Sequence, residues 1–184
     1  MRGTTERIMK AAVIVFARKG FTQATTQEIA KEADVAEITL YRKFKTKQNL
    51  FVSTIRKTLV RQFETGLMQW AETDDTRMFL GQILHERLEM VSKNEKLIKM
   101  LLSESLMGNL SEDINLPVML YESIKKGLAS HFKRVGKGAD VETCARQIAG
   151  ILLSYVIFPS KQPFYQLSPS EKAVLIDEYV ASLL

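Results

Sequence analysis

The stretch VAEITLYRKFKTKQNL, residues 35–50, sets Tyr41, Arg42, Lys43, Lys45 and Lys47 close together, and no Asp or Glu lies between Glu37 and Glu64. Guanidinium, ammonium and phenol groups donate hydrogen bonds, and a run of them without acids suits a partner that supplies the negative charge. A polyanion such as a nucleic acid is the natural partner. The whole chain is skewed the same way. Residues 1–70 hold 13 Lys and Arg against 6 Asp and Glu, whereas residues 71–184 hold 13 against 15, within a net charge of +5. A basic front on a near-neutral body is the electrostatic footprint of a nucleic-acid-binding module.

Other chemistry has little support. HERLE at 85–89 sets His85, Glu86 and Glu89 on a helix but lacks the second His of a zinc-protease motif. His131 and Cys144 stand without partners at ligand or nucleophile spacing, and there is no Gly-rich phosphate loop. No catalytic residue, metal site or cofactor is expected, and the chain does not read as an enzyme. A lone cysteine cannot form an internal disulfide and fits a reducing compartment. The longest nearly apolar run, IAGILLSYVIF at 148–158, is too short to span a bilayer. AAVIVFA at 11–17 is followed at once by Arg18 and Lys19 and not by a cleavage site. The expected setting is the cytoplasm, with no membrane partner.

The elements that position the basic stretch follow from composition and periodicity. Scarce Gly and Pro, with abundant Ala, Leu, Ile, Lys and Glu, predict an all-α chain of about nine helices. The first runs from about Thr5 to Lys19, with Ile8, Ala12, Val15 and Phe16 on one face and Gly20 as its stop. Thr25 and Glu28 have capping-box spacing for a short second helix, with Thr26 as an alternative cap. Asp34 breaks that helix, and a third of about two turns covers Glu37 to Phe44, burying Leu40 and Phe44. Thr46 caps a fourth helix that continues to about Trp70. Later segments fall at about 76–93, 95–107, 115–134 and 140–158, and a last helix opens at Ser168 with Pro169 and Glu171. Two short helices joined by a tight turn have helix-turn-helix spacing, in which the second helix lays its N-terminal residues in the DNA major groove. Such a helix must leave its outer residues exposed while apolar ones anchor it from behind.

IMKAAVIVFARKGF (8–21), TTQEIAKEADV (25–35) and TLYRKFKTKQNLF (39–51), in this order and spacing, resemble the TetR family of bacterial transcriptional regulators. The resemblance covers roughly the first 50 residues. It implies a DNA-binding domain over 4–64, with the helix-turn-helix at about 25–44, and a helical ligand-binding and dimerisation domain over 65–184. It further implies that Thr26, Gln27, Thr39, Tyr41 and Lys47 approach phosphates. Glu37, Ile38, Arg42 and Lys43 are the candidates for base or groove contacts, since Arg and Lys read guanine, Glu accepts from cytosine, and Ile38 can meet a thymine methyl. The chain departs from the family pattern at three positions. Asp34 stands where Gly is frequent, Ala36 where Ser or Thr caps the helix, and Ile38 where Gly is common. An unusual operator preference is expected to result.

For the remaining helices the resemblance implies a homodimer and a pocket whose small-molecule effector changes the spacing of two DNA-reading heads. Ala145, Ala149 and Leu152 of helix eight, with Val174 and Tyr179 of the last helix, are the candidate dimer residues. The Met-rich region 68–119 suits an adaptable apolar cavity, with Met68, Trp70, Phe79, Ile83, Met100, Met107, Tyr121, Tyr155 and Phe158 as candidate lining. The leading expectation is a repressor that binds double-stranded DNA at a near-palindromic operator and is released by a small, apolar effector. The alternative is a TetR-like scaffold acting through protein partners, or on DNA without direct transcriptional control. A small ligand-binding or catalytic helical protein is a third reading, and turnover dependent on His85 or His131 would be its mark.

Overall fold

The computed structural model describes residues 2–60, 70–109, 116–136, 138, 140–158 and 160–184. Among them are nine α-helices and no strand: α1 (Arg2–Gln23), α2 (Thr26–Glu32), α3 (Glu37–Phe44), α4 (Lys47–Ile55), α5 (Thr76–Lys93), α6 (Glu95–Leu106), α7 (Leu116–Arg134), α8 (Val141–Ile157) and α9 (Pro169–Leu183). A π-helical turn over Arg56–Val60 follows α4, and a 3-10 turn covers Phe164–Gln166. The expected continuation of helix four from there to Trp70 lies outside the described residues.

The chain forms two packing units. One comprises Met1–Arg61 with Lys96–Leu116, the other Gln62–Glu95 with Pro117–Leu184. The expected division at 64/65 is contiguous in sequence, whereas these units are not: most of α6 belongs with α1–α4, and its Glu104 bonds to Phe21 of α1.

In the first unit, Ile8, Ala12, Val15 and Phe16 of α1 are buried with Ile29, Ala30, Leu40, Leu50, Phe51 and Ile55. Phe16 meets Phe51 edge-on at 4.9 Å and Phe21 meets Phe51 at 4.8 Å, tying α1 to α4. Gly20 interrupts α1 with φ 78 and ψ 170, so the expected stop at Gly20 is a break followed by one more helical turn. Thr25 and Glu28 form the capping box on α2, and the Thr46 hydroxyl accepts from the Asn49 amide at 3.0 Å on α4. Ala36 precedes α3 with no side-chain cap.

The turn between α2 and α3 is a Schellman ending built on Asp34. The Val35 amide donates to the Ala30 carbonyl and the Asp34 amide to that of Lys31. Asp34 has φ 50, a left-handed conformation that costs an L-residue about 1–2 kcal/mol. Arg7 of α1 offsets that cost. Its Nη2 donates to the carbonyls of Ala33 (2.8 Å) and Asp34 (2.7 Å) and pairs with the Asp34 carboxylate at 3.0 Å.

In the second unit, α5 is the central helix. Phe79, Leu80, Ile83, Leu84 and Leu88 are buried with Ile148 and Val156 of α8, Phe164, and Ile176 and Val180 of α9. The fully buried His131 ring stacks on Phe79 at 4.1 Å, with Nε2 3.1 Å from the Thr76 hydroxyl. Ser168 and Glu171 close the capping box on α9, with Pro169 in its first turn. No described helix is long and apolar enough to cross a membrane.

Candidate nucleic-acid interface

The outward face of α3 follows from which of its residues are held. Leu40 and Phe44 are buried, whereas Ile38 is 73% exposed and Tyr41 and Arg42 are exposed. The side chains of Arg42 and half-buried Lys43 make no hydrogen bond or ion pair with any described residue. Gln27 of α2 is exposed and Thr39 half-buried. Lys45, also exposed, ends α3 with φ 66 and ψ −44, and the Thr46 amide donates to the Phe44 carbonyl at 2.8 Å. That is a γ-turn of the strained, positive-φ kind, so the break between α3 and α4 is a sharp corner.

Three side chains are bonded across the motif. The Thr26 hydroxyl donates to Glu37 Oε1 at 2.7 Å, and Tyr41 Oη lies 3.1 Å from Thr26 Oγ1. The first residue of α2 is thereby fastened to the first residue of α3. On the outer side of α2, Lys19 pairs with Glu28. That contact, ahead of the Thr25 amide, holds the Glu28 carboxyl below its ordinary value.

Lys47 takes an unforeseen place. Its ammonium donates to the carbonyls of Phe21 (2.9 Å), Thr22 (3.2 Å) and Ala24 (3.0 Å) and lies 4.7 Å from the Phe21 ring centroid. All three N–H donors are thus committed to the end of α1 and the connection to α2. From the other side, the carboxylate of Glu104 on α6 accepts the Phe21 amide at 2.9 Å and the Asn109 side-chain amide at 2.8 Å. Sequence reasoning missed both Arg7 and Glu104, because their partners lie 26 and 83 residues away. Replacing Lys47 with Met keeps its apolar stem and removes the three charged bonds. Thermal melting should show a loss of about 2 kcal/mol. An unchanged melting curve would assign the ammonium to solvent.

A family model described as bacterial regulatory proteins of the tetR family matches residues 8–54, the segment that holds this motif. The uncharacterized HTH-type transcriptional regulator YvkB of Bacillus subtilis is 30% identical over 149 residues, spanning 78% of this chain and 73% of that protein. The chain belongs to the TetR family of bacterial regulatory proteins. This TetR-family chain is accordingly a DNA-binding transcriptional regulator and not an enzyme. It is also 25% identical over 179 residues to the fatty acid metabolism regulator protein of B. subtilis, spanning 92% of each. The crystal structure of the B. subtilis regulator FadR in complex with stearoyl-CoA superposes with a TM-score of 0.72 at 18% identity, covering 97% of this chain and 96% of that one. At that identity the likeness concerns the fold.

The candidate effector residues of this TetR-family chain are spread over both units. Met68 lies outside the described residues. Phe79 and Ile83 are core residues of α5, and Met100 is buried in α6 of the first unit. Trp70 donates to Glu86 at 2.7 Å, Tyr121 donates to Glu142 at 2.7 Å, and the Tyr155 and Tyr179 hydroxyls lie 3.0 Å apart. Burial, ahead of the Tyr179 contact, pushes the Tyr155 phenol well above its ordinary value. Met107 and Phe158 depart from expectation: they are 71% and 68% exposed, one past the end of α6 and the other at the end of α8. Neither lines an enclosed space within its own unit.

Two candidate dimer residues also need correction. Ala145 and Leu152 are buried within the chain at 0% and 7% exposure, so a second copy has almost no area of theirs to cover. Ala149 is half-buried, and Val174 is exposed. The outward residues of α8 are instead Thr143, Arg146, Gln147, Gly150, Leu153 and Ile157.

Proposed function

We propose that this regulator is a homodimeric repressor whose two copies of α3 enter successive major grooves of a near-palindromic operator, and which an apolar effector releases. The observation that carries the reading is the division of α3, with Leu40 and Phe44 fixed in the core and Ile38, Tyr41 and Arg42 left outward. Gln27, Thr39 and Lys43 flank that face as phosphate or groove contacts. Two-fold symmetry in the protein would be mirrored in the operator, with half-sites about one helical turn apart or a multiple of it. The exposed Leu153, Ile157 and Val174 suit an interface between two copies.

The effector class is read from relatives. A protein named for fatty acid metabolism and a like-folded regulator holding stearoyl-CoA favour a long acyl chain here. Release requires only that the effector bind the DNA-free conformation more tightly than the DNA-bound one.

Selection of bound fragments from genomic DNA, followed by titration with stearoyl-CoA, tests the reading. The operator complex should dissociate as the acyl-CoA is added. A complex indifferent to saturated acyl-CoA would remove the acyl effector while leaving the DNA assignment standing. For the dimer, Ile157→Asp should shift the sedimenting species from two copies toward one. A wild-type chain that sediments as a monomer would end the two-fold account.

A further inference from the structure

The Thr26–Glu37–Tyr41 contacts carry more than a fastening of α2 to α3. A hydroxyl has one proton, and an ionised carboxylate only accepts. The Thr26 proton is directed at Glu37 Oε1, 2.7 Å away. The 3.1 Å contact between Tyr41 and Thr26 must then use the Tyr41 proton. The result is a one-way relay, Tyr41 to Thr26 to Glu37.

Phosphate oxygens accept and do not donate. While the relay is closed, neither hydroxyl has a proton to offer the DNA backbone, and the Glu37 charge repels it. Glu37 is half-buried at the first residue of α3, the end that a recognition helix points at base edges. The major groove presents amino donors at cytosine N4 and adenine N6, but only acceptors at guanine N7 and O6 and at thymine O4.

We propose that Glu37 is a specificity-determining residue that makes the Thr26 and Tyr41 phosphate contacts conditional on a base donor. An amino group that draws the carboxylate away frees both hydroxyl protons for phosphate. An acceptor at the same place leaves the relay closed. Discrimination at that base pair therefore exceeds what one direct hydrogen bond supplies, and binding to arbitrary sequence is held down. The inference rests on the reading of α3 as the DNA-reading helix.

The test is a titration of the full-length protein against a random-sequence duplex and against its selected operator, at one salt concentration. Glu37→Gln removes the charge but keeps an acceptor for Thr26, whereas Glu37→Ala removes both. On the random duplex, Glu37→Gln should bind about twofold tighter and Glu37→Ala about tenfold tighter than wild type. In a Thr26→Val background most of the Glu37→Ala gain should vanish, while Thr26→Val alone, which frees only the Tyr41 proton, should bind the random duplex no weaker and at most about threefold tighter than wild type. The ratio of operator to random affinity should fall about 100-fold in Glu37→Ala, about tenfold from the tighter random binding and about tenfold from the lost base contact. Equal gains from the two Glu37 substitutions, or a Glu37→Ala gain that survives in the Thr26→Val background, would reduce the effect to charge and overturn the relay. Weaker random-duplex binding by Glu37→Ala would make Glu37 a structural fastening only. A wild-type chain that binds no duplex would overturn the functional reading as well.

Discussion

Gly20→Ala should destabilise the chain by about 3 kcal/mol and lower its melting temperature by about 10 °C. Gly20 has φ 78 and ψ 170, a region that side-chain-bearing residues almost never occupy. A Cβ there would lie 2.7 Å from Glu104 Oε1. That oxygen is not a free end, because it accepts the Phe21 amide, and Glu104 is only 8% exposed. Relief of the clash must therefore break a buried charged hydrogen bond or move the backbone of the α1–α2 connection, where Lys47 is also bonded. Thermal melting followed by circular dichroism reads the loss. Gly3, in the first turn of α1 with nothing near its Cβ position, is the matched control and should accept alanine without loss. Equal melting temperatures for the two variants would mean that the break at Gly20 is not held as described.

The second large effect concerns DNA. Arg42→Ala combined with Lys43→Ala should weaken operator binding about 100-fold without lowering the melting temperature, since each side chain contributes about 1–3 kcal/mol where it meets a base or phosphate. Neither side chain makes a hydrogen bond or ion pair with a described residue, so little native contact is lost with them. The contrast is Leu40→Ala. It empties a fully buried site behind the same helix and should cost about 2–5 kcal/mol of stability. A double substitution that melts early, or one that leaves operator affinity intact, would remove the outer face of α3 from the interface.

Most of the motif could be read from sequence because its controlling interactions are local. Thr25 with Glu28, Thr46 with Asn49, and Ser168 with Glu171 satisfy helix ends within three residues, and the spacing of Leu40 and Phe44 sets the buried side of α3. Asp34 as the break between α2 and α3 was legible for the same reason. The clamps on that motif were not. Arg7, Lys47 and Glu104 act on backbone groups that come near only when helices pack, and Lys47 shows the limit plainly. A lysine at a helix start suits a phosphate, yet three carbonyls of another connection reach its ammonium first.

Farther along the chain, residue type could not tell an internal face from an external one. Ala145 and Leu152 suit helix-to-helix contact, but against the chain's own core. Met107 and Phe158 have the chemistry of a cavity wall and the exposure of a surface. Periodicity identifies a helix and its apolar stripe, while the neighbour that covers the stripe is a tertiary fact.

The central claim is that α3 of this TetR-family regulator reads base sequence through its outward side chains. The most direct measurement is the affinity of wild type and Arg42→Ala for the selected operator and for its full set of single-base-pair variants. The account predicts that Arg42→Ala loses discrimination at one base pair, repeated symmetrically in both half-sites, and keeps it at the others. A loss of affinity that is the same for every sequence, or no change in the preference at any position, would contradict it.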